Sequence, residues 1–285
     1  MVFLVGIWFW IPVLSILIPS FILHITLMGV IRERQKNGHC NSLFYRLFIV
    51  QSYLELPLLF LHLLGRLFIK DQYAGRALIL STNGGFFPNF YYYGTISYYL
   101  HVQTWGVIVQ STIRFINICS ARLTKFIVKA PNYVWYLTNT MASFAIMSRL
   151  LFLESVSFKP DQDGNVGIYT PLIVVQSNSM QGIVVTAFAT VFSAICYIIV
   201  MRKIVTLKQQ LSSKKYHKEK MLTLVGFALF LAQCAMTTSY LMISFAARNN
   251  MPLVNIMRRI YILPALLLTF INPWMLTLLN PTLRK

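Results

Sequence analysis

A chain of 285 residues with 57% apolar residues, only 11% charged residues and a net charge of +18 lacks the polar side chains to surround several long apolar helices in water. The cations do not mark a nucleic-acid binder, because they are divided among short loops and show neither a Gly-aromatic RNA-binding pattern nor zinc-finger spacing. What remains is an all-α membrane protein of several spanning helices, with anionic membrane lipids as the simplest partner for the basic loops.

The first apolar segment, near 4–31, is longer and bulkier than the ~7 to 15 residue core of a cleaved signal peptide and reads as a signal anchor. The second, near 43–65, carries Glu55 about 18 Å into the helix at 1.5 Å per residue. At that depth the carboxyl must face the bundle or be protonated. The third, near 87–118, combines Tyr91, Tyr92, Tyr93, Tyr98, Tyr99, His101 and Trp105 with Arg114 toward its far end. The fourth, near 131–153, holds Arg149 within snorkelling reach of the headgroups. Residues 154–171 form a loop with no cysteine to tie it down, held by its own turns, of which Asp163-Gly164 is one signal. The fifth and sixth segments, near 172–201 and 221–247, flank a basic strip at 202–220, and the seventh lies near 257–280. No repeat, low-complexity tract or linker divides the chain, so a single domain over 1–285 is expected, built as a seven-transmembrane helix bundle.

Lys and Arg set the orientation. Arg32, Arg34 and Lys36, then Arg122, Lys125 and Lys129, then seven cations in the strip, then Arg284 and Lys285 place fifteen on one side against seven on the other. Loops rich in Lys and Arg stay cytoplasmic, which puts the N-terminus outside and the C-terminus inside.

Enzymatic chemistry has no footing in these residues. There is no HExxH pair, no Gly-x-Ser-x-Gly elbow, no phosphate-binding glycine loop and no pair of intramembrane aspartates. No metal and no cofactor is expected, and the isolated histidines read as packing residues, with His101 the exception.

Two short motifs point elsewhere. Ser111-Thr112-Ile113-Arg114-Phe115 resembles the Asp-Arg-Tyr region of heptahelical G-protein-coupled receptors, with Ile113 where that family has its acid. Phe270-Ile271-Asn272-Pro273-Trp274 resembles the start of their Asn-Pro-x-x-Tyr motif, with Leu276 at the tyrosine position. Independently of the likeness, Pro273 removes a backbone donor and Asn272 is expensive to leave unpaired in lipid, so a hinge is expected there. Asn41-Ser42-Leu43-Phe44-Tyr45-Arg46-Leu47-Phe48, Glu55 and Asn272-Pro273-Trp274 are similar to nematode serpentine chemoreceptors, closest to the gamma and V classes. The resemblance implies a G-protein-coupled chemosensory receptor in a sensory-neuron plasma membrane, binding a small extracellular ligand and activating a heterotrimeric G protein. It further implies that Arg114 restrains the sixth helix at rest, and that Arg114, Lys203, Lys218 and Lys220 meet the G protein when the bundle opens.

A ligand pocket is then expected among the outer halves of the helices. Tyr98 and Trp105 recur at seven-residue spacing and His101 lies three past Tyr98, so they share a face that serves equally as pocket or as packing. Gln176, Asn178, Thr237, Tyr240 and Tyr261 are further polar candidates. The rival reading is a ligand-gated channel or transporter lined by Glu55 and Arg149, although no inverted repeat supports it. A retinal photoreceptor would need a lysine in the seventh helix, which is absent.

Overall fold

The computed structural model describes residues 2–38, 42–68, 87–92, 97–153, 156–160, 166–207, 213–249 and 251–279. The chain is nearly all helical in them. Helix α1 spans Val2–Lys36 and α2 Leu43–Phe68. The expected third segment holds a short α3, Phe87–Tyr92, and α4, Tyr98–Cys119. Then follow α5, Ala121–Val128, α6, Asn132–Leu153, and two strands, β1 at Ser157–Pro160 and β2 at Val166–Tyr169. Two long helices, α7 at Leu172–Leu207 and α8 at Ser213–Asn249, precede α9, Met251–Ile260, and α10, Ile262–Leu279.

Local sequence accounts for the breaks. Gly38 takes a φ of 79°, the left-handed conformation that closes a helix, and its N–H bonds the Gln35 carbonyl just past the end of α1. Ser120 turns extended at φ −142° and ψ 96°, which ends α4, and its hydroxyl accepts from the Leu123 N–H to start α5. Pro131 and Pro171 stand just before α6 and α7, where a missing N–H is harmless.

Among the described residues, five helical stretches are long and apolar enough to cross a membrane: Ile11–Lys36, Leu43–Leu63, Leu172–Thr206, Glu219–Arg248 and Ile256–Leu279. Helix α4 is also long, at 22 residues, but more polar, and its position explains why. It packs against α2, α6, α7 and α8, with Tyr99, His101, Gln103, Thr104, Gln110, Ser111 and Arg114 all buried. A helix enclosed by others has no need of an apolar surface all round.

Helices α7 and α8 form the most extensive pair and run antiparallel. Gln176 Nε2 donates to the Ala247 carbonyl (3.2 Å), the Thr190 and Thr237 hydroxyls meet at 3.0 Å, and two glycines let large rings approach. The Tyr240 ring fills the space where a Gly182 side chain would stand, and the Tyr197 ring does the same at Gly226. Helix α10 packs on α8 and α1. Trp274 Nε1 donates to the Ser20 hydroxyl at 2.9 Å, which fixes that last contact.

The loop before α7 is held by more than its own turns, contrary to expectation. Strands β1 and β2 pair antiparallel with Ser157 opposite Tyr169 and Pro160 opposite Val166. Phe158 is buried, the Val156 N–H donates to Asn89 Oδ1 of α3 at 2.8 Å, and the Lys159 ammonium lies 4.1 Å from the centre of the Tyr169 ring. Asp163-Gly164 lies outside the described residues.

Candidate functional site

Arg114 is the best-buried cation of the described residues, 2% exposed, and it is paired. Its Nη1 donates to Glu219 Oε2 at 3.2 Å, and Nη2 donates to the Glu219 carbonyl (3.1 Å) and the Thr223 hydroxyl (3.3 Å). The Phe44 ring of α2 covers the guanidinium, with Cζ 6.0 Å from the ring centre. One side chain of α4 thus grips the first turns of α8 beside the basic strip. A charge buried this deeply persists only when paired and hydrogen-bonded, and three bonds from the fork-shaped guanidinium supply that. Lys203 and Lys220 are exposed nearby in sequence, and Lys218 lies on the first turns of α8.

Glu219 is not among the residues that the sequence motifs single out. It is the sole acid among the seven cations of residues 202–220, and that isolation is the signal that would have found it.

A second set of polar contacts crosses the bundle from the same buried face of α4, nearer its N-terminus. Gln103 Nε2 lies 2.6 Å from the Thr269 hydroxyl and 2.9 Å from the Ala265 carbonyl of α10, and 3.0 Å from the Tyr99 hydroxyl. Tyr99 and Thr269 share a hydrogen bond of 2.6 Å. Four residues on from Pro273 in the reverse direction, Thr269 is the residue whose carbonyl the proline leaves without its helical donor. About two turns further along α4, Gln110 Oε1 accepts from Asn272 Nδ2 at 3.2 Å. Replacing Gln103 by Leu is expected to lower stability by about 1–3 kcal/mol, because it removes the buried donor that three acceptors share, and a thermal unfolding scan of purified protein would show it as a drop of several degrees.

Glu55 is buried and faces the bundle, where it accepts a hydrogen bond from Gln51 Nε2. Gln51 also donates to the Val102 carbonyl of α4 (3.0 Å) and accepts from Asn139 Nδ2 of α6 (2.6 Å), so one amide ties three helices together. Gly106 permits this, since a side chain there would overlap the Gln51 amide.

The ligand-binding candidates are brought together only in part. Tyr240 and Tyr261 touch edge to face, with ring centres 5.4 Å apart and hydroxyls at 3.3 Å. Thr237 lies three residues before Tyr240 on α8 and bonds Thr190. His101 is buried and Tyr98 and Trp105 are half-buried on α4, while Gln176 and Asn178 are half-buried on α7. His101 Nδ1, Trp105 Nε1 and both amide atoms of Asn178 are buried without a hydrogen-bond partner. Tyr91 and Tyr92 fall on α3, and Tyr93 lies outside the described residues.

Long apolar helices around a polar central helix define a multi-pass membrane protein, and the family of this one is a receptor class. The model of the serpentine type 7TM GPCR chemoreceptor Srv family matches residues 13–285, so the chain belongs to that nematode chemoreceptor family. Of the gamma and V classes that it resembles, the match falls on V. No individual curated protein matches the chain.

Proposed function

We propose that the chain is a chemosensory receptor of seven crossings, N-terminus outside and C-terminus inside, that binds a small extracellular ligand and activates a heterotrimeric G protein at its basic face. The observation that carries this reading is the Arg114 to Glu219 pair. It supplies a resting restraint between the third and sixth crossings even though Ile113 stands where an acid would normally hold the arginine. Helices α4 and α6 complete the seven, since each has 22 residues, about 33 Å, enough for a hydrocarbon core of ~30 Å.

The ligand enters among Tyr98, His101, Trp105, Gln176, Asn178, Thr237, Tyr240 and Tyr261, and it acts by binding the open bundle better than the closed one. Rings with polar tips suit a small, mostly apolar molecule. Asn272 and Pro273 form the hinge, and opening frees Arg114 to meet the G protein beside Lys203, Lys218 and Lys220. The receptor belongs in the plasma membrane of a sensory neuron, where a chemosensory receptor meets an external ligand.

Epitope tags at the two ends test the frame. Antibody is expected to reach the N-terminal tag on intact cells and the C-terminal tag only after permeabilisation. The reverse pattern would carry Arg114 away from any cytosolic partner and overturn the proposal. Ligand-evoked current that persists with G proteins blocked would instead favour a channel.

A further inference from the structure

Helix α5 presents an unusual surface. Phe126 is 78% exposed, the most of any large apolar side chain in the described residues, and Leu123 is 51% exposed. Arg122, Lys125 and Lys129 are exposed beside them. At about 100° per residue the three cations occupy one arc of the helix, Phe126 and Leu123 the next arc, and Ile127 and Thr124 the one after. That last arc is the packed one: Ile127 lies against the cluster of Leu43, Leu47 and Ile113, at the ends of α2 and α4 nearest the basic strip.

The helix is also held in place. Arg46, in the first turn of α2, donates to the Val128 carbonyl (2.8 Å), the Ala130 carbonyl (2.7 Å) and Asn132 Oδ1 (3.0 and 2.8 Å). It caps the C-terminal carbonyls of α5 and joins them to the start of α6, so rotation of the outer arcs is prevented. A fixed helix at the level where three crossings end, apolar on one edge and cationic on the adjoining one, matches a headgroup boundary and the anionic lipid on its cytoplasmic side.

We infer that α5 docks on the anionic inner leaflet, with Leu123 and Phe126 entering the acyl boundary and Arg122, Lys125 and Lys129 taking the lipid phosphates and carboxylates, while Arg46 acts as the residue that positions the helix. This goes beyond the receptor reading, and its test requires neither ligand nor signalling, so the two fail separately. The full chain, with its four cysteines replaced and Phe126→Cys carrying a spin label, is reconstituted in nanodiscs of neutral phosphatidylcholine and in discs containing phosphatidylserine. The label is expected to be several-fold more accessible to oxygen than to a water-soluble nickel chelate in the anionic discs, and shallower in the neutral ones. Combining Arg122→Gln, Lys125→Gln and Lys129→Gln, all at exposed positions that leave the fold intact, is expected to abolish the difference between the two discs. Equal nickel access in both discs would overturn the inference, as would a difference that survives the triple substitution. A label that becomes shielded only when a G-protein heterotrimer is added would replace lipid by protein as the occupant, and would equally overturn it.

Discussion

Replacing Glu219 by Gln is expected to raise ligand-free G-protein activation about 5- to 30-fold, because the substitution removes the charge that holds Arg114 in the closed bundle. The magnitude follows from the burial of the two partners. Arg114 has a side chain 3% exposed and Glu219 one 24% exposed, so the pair lies between a surface bridge, about 0.5 kcal/mol, and a fully buried one, roughly 3–5 kcal/mol on removal of a partner. A closed state weakened by about 1–2 kcal/mol shifts the closed-to-open ratio by that factor of roughly 5 to 30. Arg114→Ala should act in the opposite direction and bring activation to background with surface expression intact, since the carboxylate left behind is already partly hydrated. Nucleotide exchange on a co-reconstituted G protein reads both. An inert Glu219→Gln together with a fully active Arg114→Ala would remove the pair from the switch.

Substituting Gly182 by Val is expected to destabilise the protein by roughly 1–3 kcal/mol through overpacking. A Cβ at this position meets Cγ, Cδ1 and Cε1 of Tyr240, the stem of the ring as well as its edge, so rotation of the far end does not relieve the clash. Tyr240 is buried and engaged with Tyr261, so the ring has to leave its place or push α7 and α8 apart. Adding Tyr240→Ala should recover part of the loss, and the non-additivity of the double-mutant cycle measures the contact directly. Thermal unfolding in detergent gives the numbers. Strict additivity would mean that the two residues do not meet.

The sequence is legible at some of these sites and silent at others, for physical reasons. Charge and apolar length are local properties, so the helical membrane class, Arg114 and the burial of Glu55 follow from residues read one segment at a time. Glu219 is the contrary case. Its partner is 105 residues away, and its neighbours Lys218 and Lys220 make it look like one acid in a solvated basic run. Helix α4 shows the limit of face reading. Its dense aromatics draw attention to Tyr98, His101 and Trp105, yet the hydrogen bonds that join it to α10 start from Tyr99 and Gln103, roughly 150° round the same helix. Nothing in a single sequence tells which stripe of a largely buried helix meets which neighbour. The pairing of strands 157–160 and 166–169 is not legible in the sequence because its anchors, Phe158 and Asn89, are single residues without a periodic pattern. The eight residues of α5, between two longer segments, read as a loop in sequence.

Helix α8 has 37 residues, about 55 Å, against a hydrocarbon core of ~30 Å. A rod that outreaches its bearing behaves as a lever. If it pivots near the Tyr240 contact, Glu219 stands 21 residues away, about 32 Å along the axis, so a tilt of roughly 10° carries the Glu219 end by about 5 Å. On the proposed reading, a small tilt set where a ligand parts the Tyr240 and Tyr261 rings would thereby become a large displacement at the far end of the helix, and the ion pair there needs only to be weak enough to yield.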